Sequence, residues 1–332
     1  MKKTVFERHP KTTLIVLASF LLLIGIVIAN KLASSLFGLG KVVIYEANPI
    51  YGYRPKPEQK IARQAHHEIQ INNLGLRAQT DWDPYDFTHK ILFLGDSVTY
   101  GGSYIGNQQL FSYLIGQQFP KFTSGNAGVN GWGVNNVHAF VKELQFLPAQ
   151  VYVSMFPEGD FYRGLNRIGG QPFWTTKPKS ALDELFQYFI YKMQLKKNPG
   201  FNINLASDKE RTLIVDIAAR NLKDLDNYLK QNNRDHIIYI TPSRSQLLGI
   251  TKQDDFIKNA FEKYGLKVIY IKDKLGALSA DEIKQLYHDE IHLSPLGHEK
   301  WAAIMSEDLK SILDHREKES LFVDNNFPRL HA

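Results

Sequence analysis

The segment Ile91-Leu-Phe-Leu-Gly-Asp-Ser-Val-Thr-Tyr-Gly101 constrains the fold of this chain more than any other stretch. Four apolar residues in a row have the pattern of a buried strand, and Gly95 marks where the chain must turn at its end. A serine at that turn sits at the carboxyl edge of a sheet, where open α/β folds place their ligands. Ser97 is therefore a candidate nucleophile. A strand running into Gly-Asp-Ser is also an ordinary way to enter a turn, so the segment needs a base and an acid elsewhere before it points to chemistry.

The chain beyond it alternates as a doubly wound sheet requires. Strands are expected at 90–94, 122–126, 151–156, 236–240 and 267–271. Between them the spacing predicts helices over 108–119, 134–144, 211–229 and 254–264. In the third of these, Leu213, Ile217, Leu222, Leu225 and Leu229 recur at helical period. Ser294 caps a last helix with Pro295 at its first position, extending to about residue 315. Five strands interleaved with helices predict a three-layer α/β/α domain with a mainly parallel five-stranded sheet, over residues 89–315.

A base and an acid stand together near the other end of the chain. Tyr287-His-Asp-Glu-Ile-His-Leu-Ser-Pro-Leu-Gly-His-Glu-Lys-Trp301 places Asp289 and His292 at i and i+3. A serine hydroxyl is a weak nucleophile until a base takes its proton, and the base works best when a carboxylate fixes its tautomer. One loop can supply both groups as a unit.

With these residues the chain resembles the SGNH (GDSL-type) hydrolase family of esterases and acyl-transfer enzymes. Gly95-Asp96-Ser97-Val98 is similar to the family's first block, with Val where the family name has Leu. Asn126-Ala-Gly128-Val-Asn-Gly131 is similar to the second, in which a glycine N–H helps bind the oxyanion. Asp289-Glu-Ile-His292, followed by Pro295-Leu-Gly297-His298, is similar to the last. The three occur in the family's order. The resemblance implies a flavodoxin-like SGNH-hydrolase fold, with Ser97, His292 and Asp289 as the catalytic triad and Gly128 as an oxyanion donor. It implies no cofactor and no metal.

One block departs from the family. Its Gly-x-Asn-Asp, whose asparagine donates to the oxyanion, corresponds here to Pro157-Glu158-Gly159-Asp160. Gly159 and Asp160 hold the corresponding place, but an ionised carboxylate accepts hydrogen bonds and donates none. Losing one oxyanion donor costs roughly 2.7–4 kcal/mol of transition-state stabilisation. A backbone N–H, Arg163 or Asn166 is the expected substitute; an ordinary acidic turn is the competing reading.

The N-terminus is the second informative region. Residues 1–11 carry Lys2, Lys3, Arg8 and Lys11 against Glu7, and residues 14–29 are then free of charge. With Thr12 and Thr13 the run gives about 27 Å of helix, close to the hydrocarbon thickness of a bilayer. The basic flank predicts a cytoplasmic tail (1–11), a transmembrane signal anchor (12–30) and an extracytoplasmic remainder. A cleaved signal peptide, with Val27-Ile-Ala29 at the cleavage site, is the alternative, and it exports the domain equally.

Composition supports a globular domain: 332 residues, 43% hydrophobic and 22% charged. With no cysteine, thiol catalysis and structural disulfides are excluded, whereas export is not. The net charge of +6 is spread along the chain, and nothing in it predicts a nucleic-acid partner.

Residues 31–88 read as a connector. Within it Tyr51-Gly-Tyr-Arg-Pro-Lys-Pro57 is turn-rich and expected on the surface, and Arg77 of Asn72-Asn-Leu-Gly-Leu-Arg77 is expected as a surface residue pinning the connector, with reach to the active-site rim as the alternative. Residues 157–210 are too long for a plain connection and read as an insertion over the site. Its helix 181–197, with Leu182, Leu185, Phe186, Phe189 and Met193 on one side, packs on the core, closes as a lid, or lies on a membrane surface. Residues 316–332 form a C-terminal tail. His288 and His292 would face a metal together only on a helix, which Pro295 argues against. The turn at Gly128-Val-Asn-Gly-Trp-Gly133 lacks the spacing of a dinucleotide-binding loop. The sequence thus predicts an exported, membrane-anchored serine esterase for a small acyl ester, such as an O-acetyl group on envelope or secreted polysaccharide. An O-acyltransferase, or a binding component with a degraded oxyanion hole, is the alternative.

Overall fold

A computed structural model describes residues 4–63, 67–143, 149–166, 174–197 and 206–326. Parts of the expected insertion (167–173 and 198–205), residue 144 of one expected helix, and the chain ends 1–3 and 327–332 lie outside the described residues.

The expected sheet is present. Strands β5 (Lys90–Gly95), β6 (Thr123–Asn126), β7 (Val151–Pro157), β8 (Asp235–Thr241) and β9 (Ile269–Tyr270) pair in the order β6-β5-β7-β8-β9. Every pairing is parallel. The order doubles back between β5 and β7, so the crevice at their carboxyl ends is the topological switch point at which such folds bind ligands. β9 is shorter than the sequence predicts because the chain turns into a 3₁₀ segment at Ile271.

Side chains alternate across the sheet and divide the core in two. Leu92, Leu94, Phe156 and Ile238 pack with helices Val134–Glu143, Asp208–Gln231 and Asp255–Tyr264. Ile91, Phe93, Val153 and Met155 pack on the other face with Phe111–Gln118 and Pro295–Asn326. β5 and β7 are buried along their whole length, which is why each reads as an unbroken apolar run rather than an alternating one.

The segment before the sheet is more structured than a connector. It forms two antiparallel hairpins, β1 (Tyr45–Asn48) with β2 (Gly52–Pro55) and β3 (Gln59–Arg63) with β4 (His67–Ile71). Tyr51 and Tyr53, expected on the surface, are buried in the first core cluster. Tyr51 meets Trp132 and Phe140 edge-on, so aromatic packing covers a stretch whose local composition is that of a turn. Trp132 is itself buried and offers no face to a ligand.

Helix Pro10–Phe37 is exposed along its length, with a mean hydropathy of 2.7 in its most apolar window, and is long and apolar enough to cross a membrane. It runs past the expected residue 30 and stops at Gly38 in the left-handed conformation (φ 65°). There it is fastened to the domain. Gly40 donates its N–H to Glu184, Arg63 pairs with the same carboxylate, and Leu182 N–H donates to Asn30 Oδ1. A side chain at Gly40 would press on the Ala181 backbone at 3.1 Å, and its φ is +83°. Only Ala181 and Glu184 of helix Ala181–Lys197 are buried; of the described side chains from Leu185 on, all but the half-buried Tyr191 are exposed, so of the three alternatives packing on the core is not what forms.

Candidate active site

Ser97 stands where β5 ends. The turn is tight: a Cβ on Gly95 would lie 2.2 Å from Thr99 Oγ1 and 2.4 Å from Met155 O, so only glycine passes between β7 and the helix that follows. Asp96 caps that short helix (Ser97–Tyr100), accepting from the Val98 N–H at 2.8 Å. From Ile91 to Tyr100, Ser97 is the one residue that is not buried.

The Asp289/His292 loop meets it from the far end of the sequence, 195 residues away. His292 Nε2 lies 2.8 Å from Ser97 Oγ, and His292 Nδ1 lies 2.7 Å from Asp289 Oδ2. The other oxygen of Asp289 accepts from the backbone N–H groups of Ile291 and His292, each at 2.9 Å. Burial alone would raise the Asp289 carboxyl, but these N–H groups and the His292 ring hold it below its ordinary value. The loop is closed by a bridge between Tyr287 and Leu293 and tied to the end of β8 through Arg244 N–H and Glu290 O at 2.8 Å. It is not helical, so His288 and His292 do not share a helix face. His288 instead stacks on Tyr104 with ring centroids 3.8 Å apart.

Gly128 does not present the donor expected of it. Its N–H points to Asn126 Oδ1 at 2.9 Å, in an Asx turn that keeps it inside. Glycine is needed there for packing, since a Cβ would come within 2.4 Å of Tyr100 N, directly behind the nucleophile turn. The Ser97 N–H makes no hydrogen bond among the described residues.

Gly159 and Asp160 follow β7 in a 3₁₀ turn, Glu158–Tyr162. Gly159 is exposed, and a Cβ there would meet nothing within 4 Å. Asp160 is fully buried and accepts from Arg163 Nη1 at 2.6 Å. The same nitrogen donates to Asp96 Oδ2 at 3.2 Å and to Trp132 O at 2.7 Å. Arg163 thus clamps two buried carboxyl groups behind the serine. Burial, and then the neighbouring Asp96, push the Asp160 carboxyl well above the carboxylate range, with Arg163 opposing. This push favours the protonated form over the ionised side chain assumed from sequence, and an acid in that form donates a hydrogen bond. The Asp96 cap is a local contact with Val98, whereas the clamp by Arg163 is not written in local sequence, because it joins the ends of two strands.

Arg77 is the functional-site residue sequence reasoning misplaced. It is buried, not on the surface. Its backbone bridges β4 and the edge strand β6, while Nη1 donates to the carbonyls of Tyr100 and Gly102, each at 2.7 Å. Nη2 reaches Ile105 O, and Nε reaches Asn107 Oδ1 at 2.9 Å. The loop after the nucleophile is thus folded around one guanidinium. Tyr104 in that loop donates to Leu293 O at 2.9 Å, joining it to the histidine loop.

No family model matches the chain, and no curated protein matches it in sequence. Solved structures do. A member of the lipolytic protein G-D-S-L family from Veillonella parvula is 11% identical, over 66% of this chain and 96% of its own, with a TM-score of 0.37. An acetyl xylan esterase from Geobacillus stearothermophilus is 15% identical, over 68% of this chain and 97% of its own, at a TM-score of 0.39. A two-domain esterase active on acetylated mannans is 13% identical, over 68% of this chain and 50% of its own, at a TM-score of 0.41.

Proposed function

We propose that the chain is an exported, membrane-anchored serine esterase acting through Ser97, His292 and Asp289. The hydrogen-bonded line from Ser97 Oγ through the His292 ring to Asp289, set at the switch point of the sheet, carries this reading. Ser97 Oγ attacks the ester carbonyl as its proton passes to His292 Nε2, while Asp289 holds the Nδ1 proton and steadies the imidazolium. The tetrahedral adduct collapses, the C–O bond to the alcohol breaks, and His292 returns the proton to the leaving oxygen. Water, deprotonated by His292, then attacks the acyl-serine and releases the acid and Ser97. The Ser97 N–H is the first donor to the oxyanion. Gly128 N–H joins only if the Asn126 side chain releases it.

The substrate proposed is a small acyl ester, such as an O-acetyl group on envelope or secreted polysaccharide, presented on the far side of the membrane crossed by Pro10–Phe37. A recess of about 500 Å³, lined by Gly159, Tyr162, Ser243, Gln246 and Ile291, opens beside the site and offers the polar room a sugar alcohol needs. If a second sugar hydroxyl enters there in place of water, the same acyl-serine gives an O-acyltransferase.

The missing asparagine and the committed Gly128 N–H favour one further reading, a polysaccharide-binding component without efficient turnover. Treatment of the full chain with a fluorophosphonate probe and p-nitrophenyl acetate separates the two. Labelling and turnover that disappear in Ser97→Ala support the esterase; a folded wild type that takes no label overturns it. A C-terminal reporter active only in the cytoplasm would overturn the exported topology.

A further inference from the structure

We propose that helix Ala181–Lys197 is a second membrane contact, lying at the lipid headgroup boundary beside the spanning helix. The proposal rests on the anchored reading above. Past its first turn the helix leaves the protein with its apolar residues uncovered: Phe186 is 63% exposed, Phe189 61%, Met193 49% and Leu185 44%. At about 100° per residue these four and Ile190 fall within about 140° of the helix circumference; Gln187 lies outside that arc, and the opposite side carries Tyr188 and Tyr191. A soluble protein rarely leaves such a stripe in water.

Its position identifies the occupant as lipid. The base of the helix is held to the end of the apolar spanning helix, by Leu182 N–H on Asn30 Oδ1 and by Glu184 on Gly40. Asn30 is where the charge-free run ends, so the stripe starts at the level of the membrane surface. The last turn carries Lys196 and Lys197, with Lys192 one turn earlier. Lysines on such a helix bury their stems and place their charge among anionic headgroups. Beyond the adjoining Lys179 and Ser180, the described polar contacts of the helix go to Asn30, Gly40 and Arg63, not to Ser97, which sets aside a lid.

The chain contains no cysteine, so a single introduced one carries a unique nitroxide. Full-length Phe189→Cys, Gln187→Cys and Leu22→Cys, all at exposed positions, are reconstituted in vesicles of phosphatidylethanolamine and phosphatidylglycerol. Relaxation by oxygen is compared with relaxation by a water-soluble nickel chelate. The Phe189 label should show an oxygen-to-nickel ratio several-fold above that of the Gln187 label. A Phe189 label in water while the Leu22 label is in lipid overturns the proposal and leaves the anchor standing. Both labels in water overturn the anchored reading itself. A Phe189 label shielded from nickel but broadened by a second Phe189 label overturns lipid in favour of a second copy of the chain.

Discussion

Arg77 Nη1 donates to the carbonyl of Tyr100 at 2.7 Å, fastening the short helix that Ser97 begins to a segment paired with β4 ahead of the sheet. One guanidinium satisfies four acceptors in this loop, and a lysine cannot reproduce that fork. Arg77→Lys is expected to lower the unfolding free energy by roughly 2–4 kcal/mol, measured in urea, because charge-assisted bonds to buried carbonyls are left unmade. It should also slow probe labelling of Ser97. A loss within about 0.5 kcal/mol, the range of an ordinary surface substitution, would contradict this.

Replacing Asp289 by Asn keeps the shape of the loop but lets His292 take the wrong tautomer. Esterase turnover by Asp289→Asn is expected to fall roughly 10³–10⁴-fold with little change in melting temperature. Asp289 is depressed below its ordinary value, so it remains ionised as the pH falls through the weakly acidic range. The acid limb of the wild-type rate profile should not follow this carboxylate.

Asp160 provides a signature in the pH dependence of stability. Its folded-state pKa is raised above that of the unfolded chain, so the stability it contributes is complete below the unfolded value and is lost as pH rises through the folded one. Asp160→Asn keeps a donor and cannot ionise. Melting temperatures measured as pH rises from about 4 should decline less in the variant than in the wild type; parallel curves would refute the raised Asp160 carboxyl.

His298 supplies the opposite signature. Burial, with the charges of Arg77 and His292 adding to it, lowers His298 to about 3. The unfolded chain binds a proton there below about pH 6.5 that the folded chain refuses. Stability should therefore fall on acidification from about 6.5 towards 3, by up to about 1.4 kcal/mol per pH unit. His298→Gln should remove that slope, as read from urea midpoints across the range.

Part of this architecture was legible in the sequence for a simple reason. β5 and β7 are buried on both faces, so their apolar runs are unbroken, and Asp289 and His292 lie within one turn of each other. The hairpins before the sheet were hidden because Tyr51-Gly-Tyr-Arg-Pro carries turn punctuation, while its burial comes from Trp132 and Phe140, far along the chain. Arg77 looked like surface charge because the carbonyls that accept from it belong to a loop more than twenty residues away. The upward push on the Asp160 carboxyl was out of reach for the same reason: it comes from burial and from Asp96, at the end of another strand.

The clamp of Glu184 on Gly40 and Arg63 ties the end of the apolar helix directly to the domain. On the anchored reading, the domain is held close to the membrane, with little free chain between its crevice and the surface. Such an enzyme searches a thin layer parallel to the membrane and meets esters by drifting sideways. Its choice of substrate would then be set as much by how far a polymer's acyl groups stand from the surface as by the shape of the recess beside Ile291.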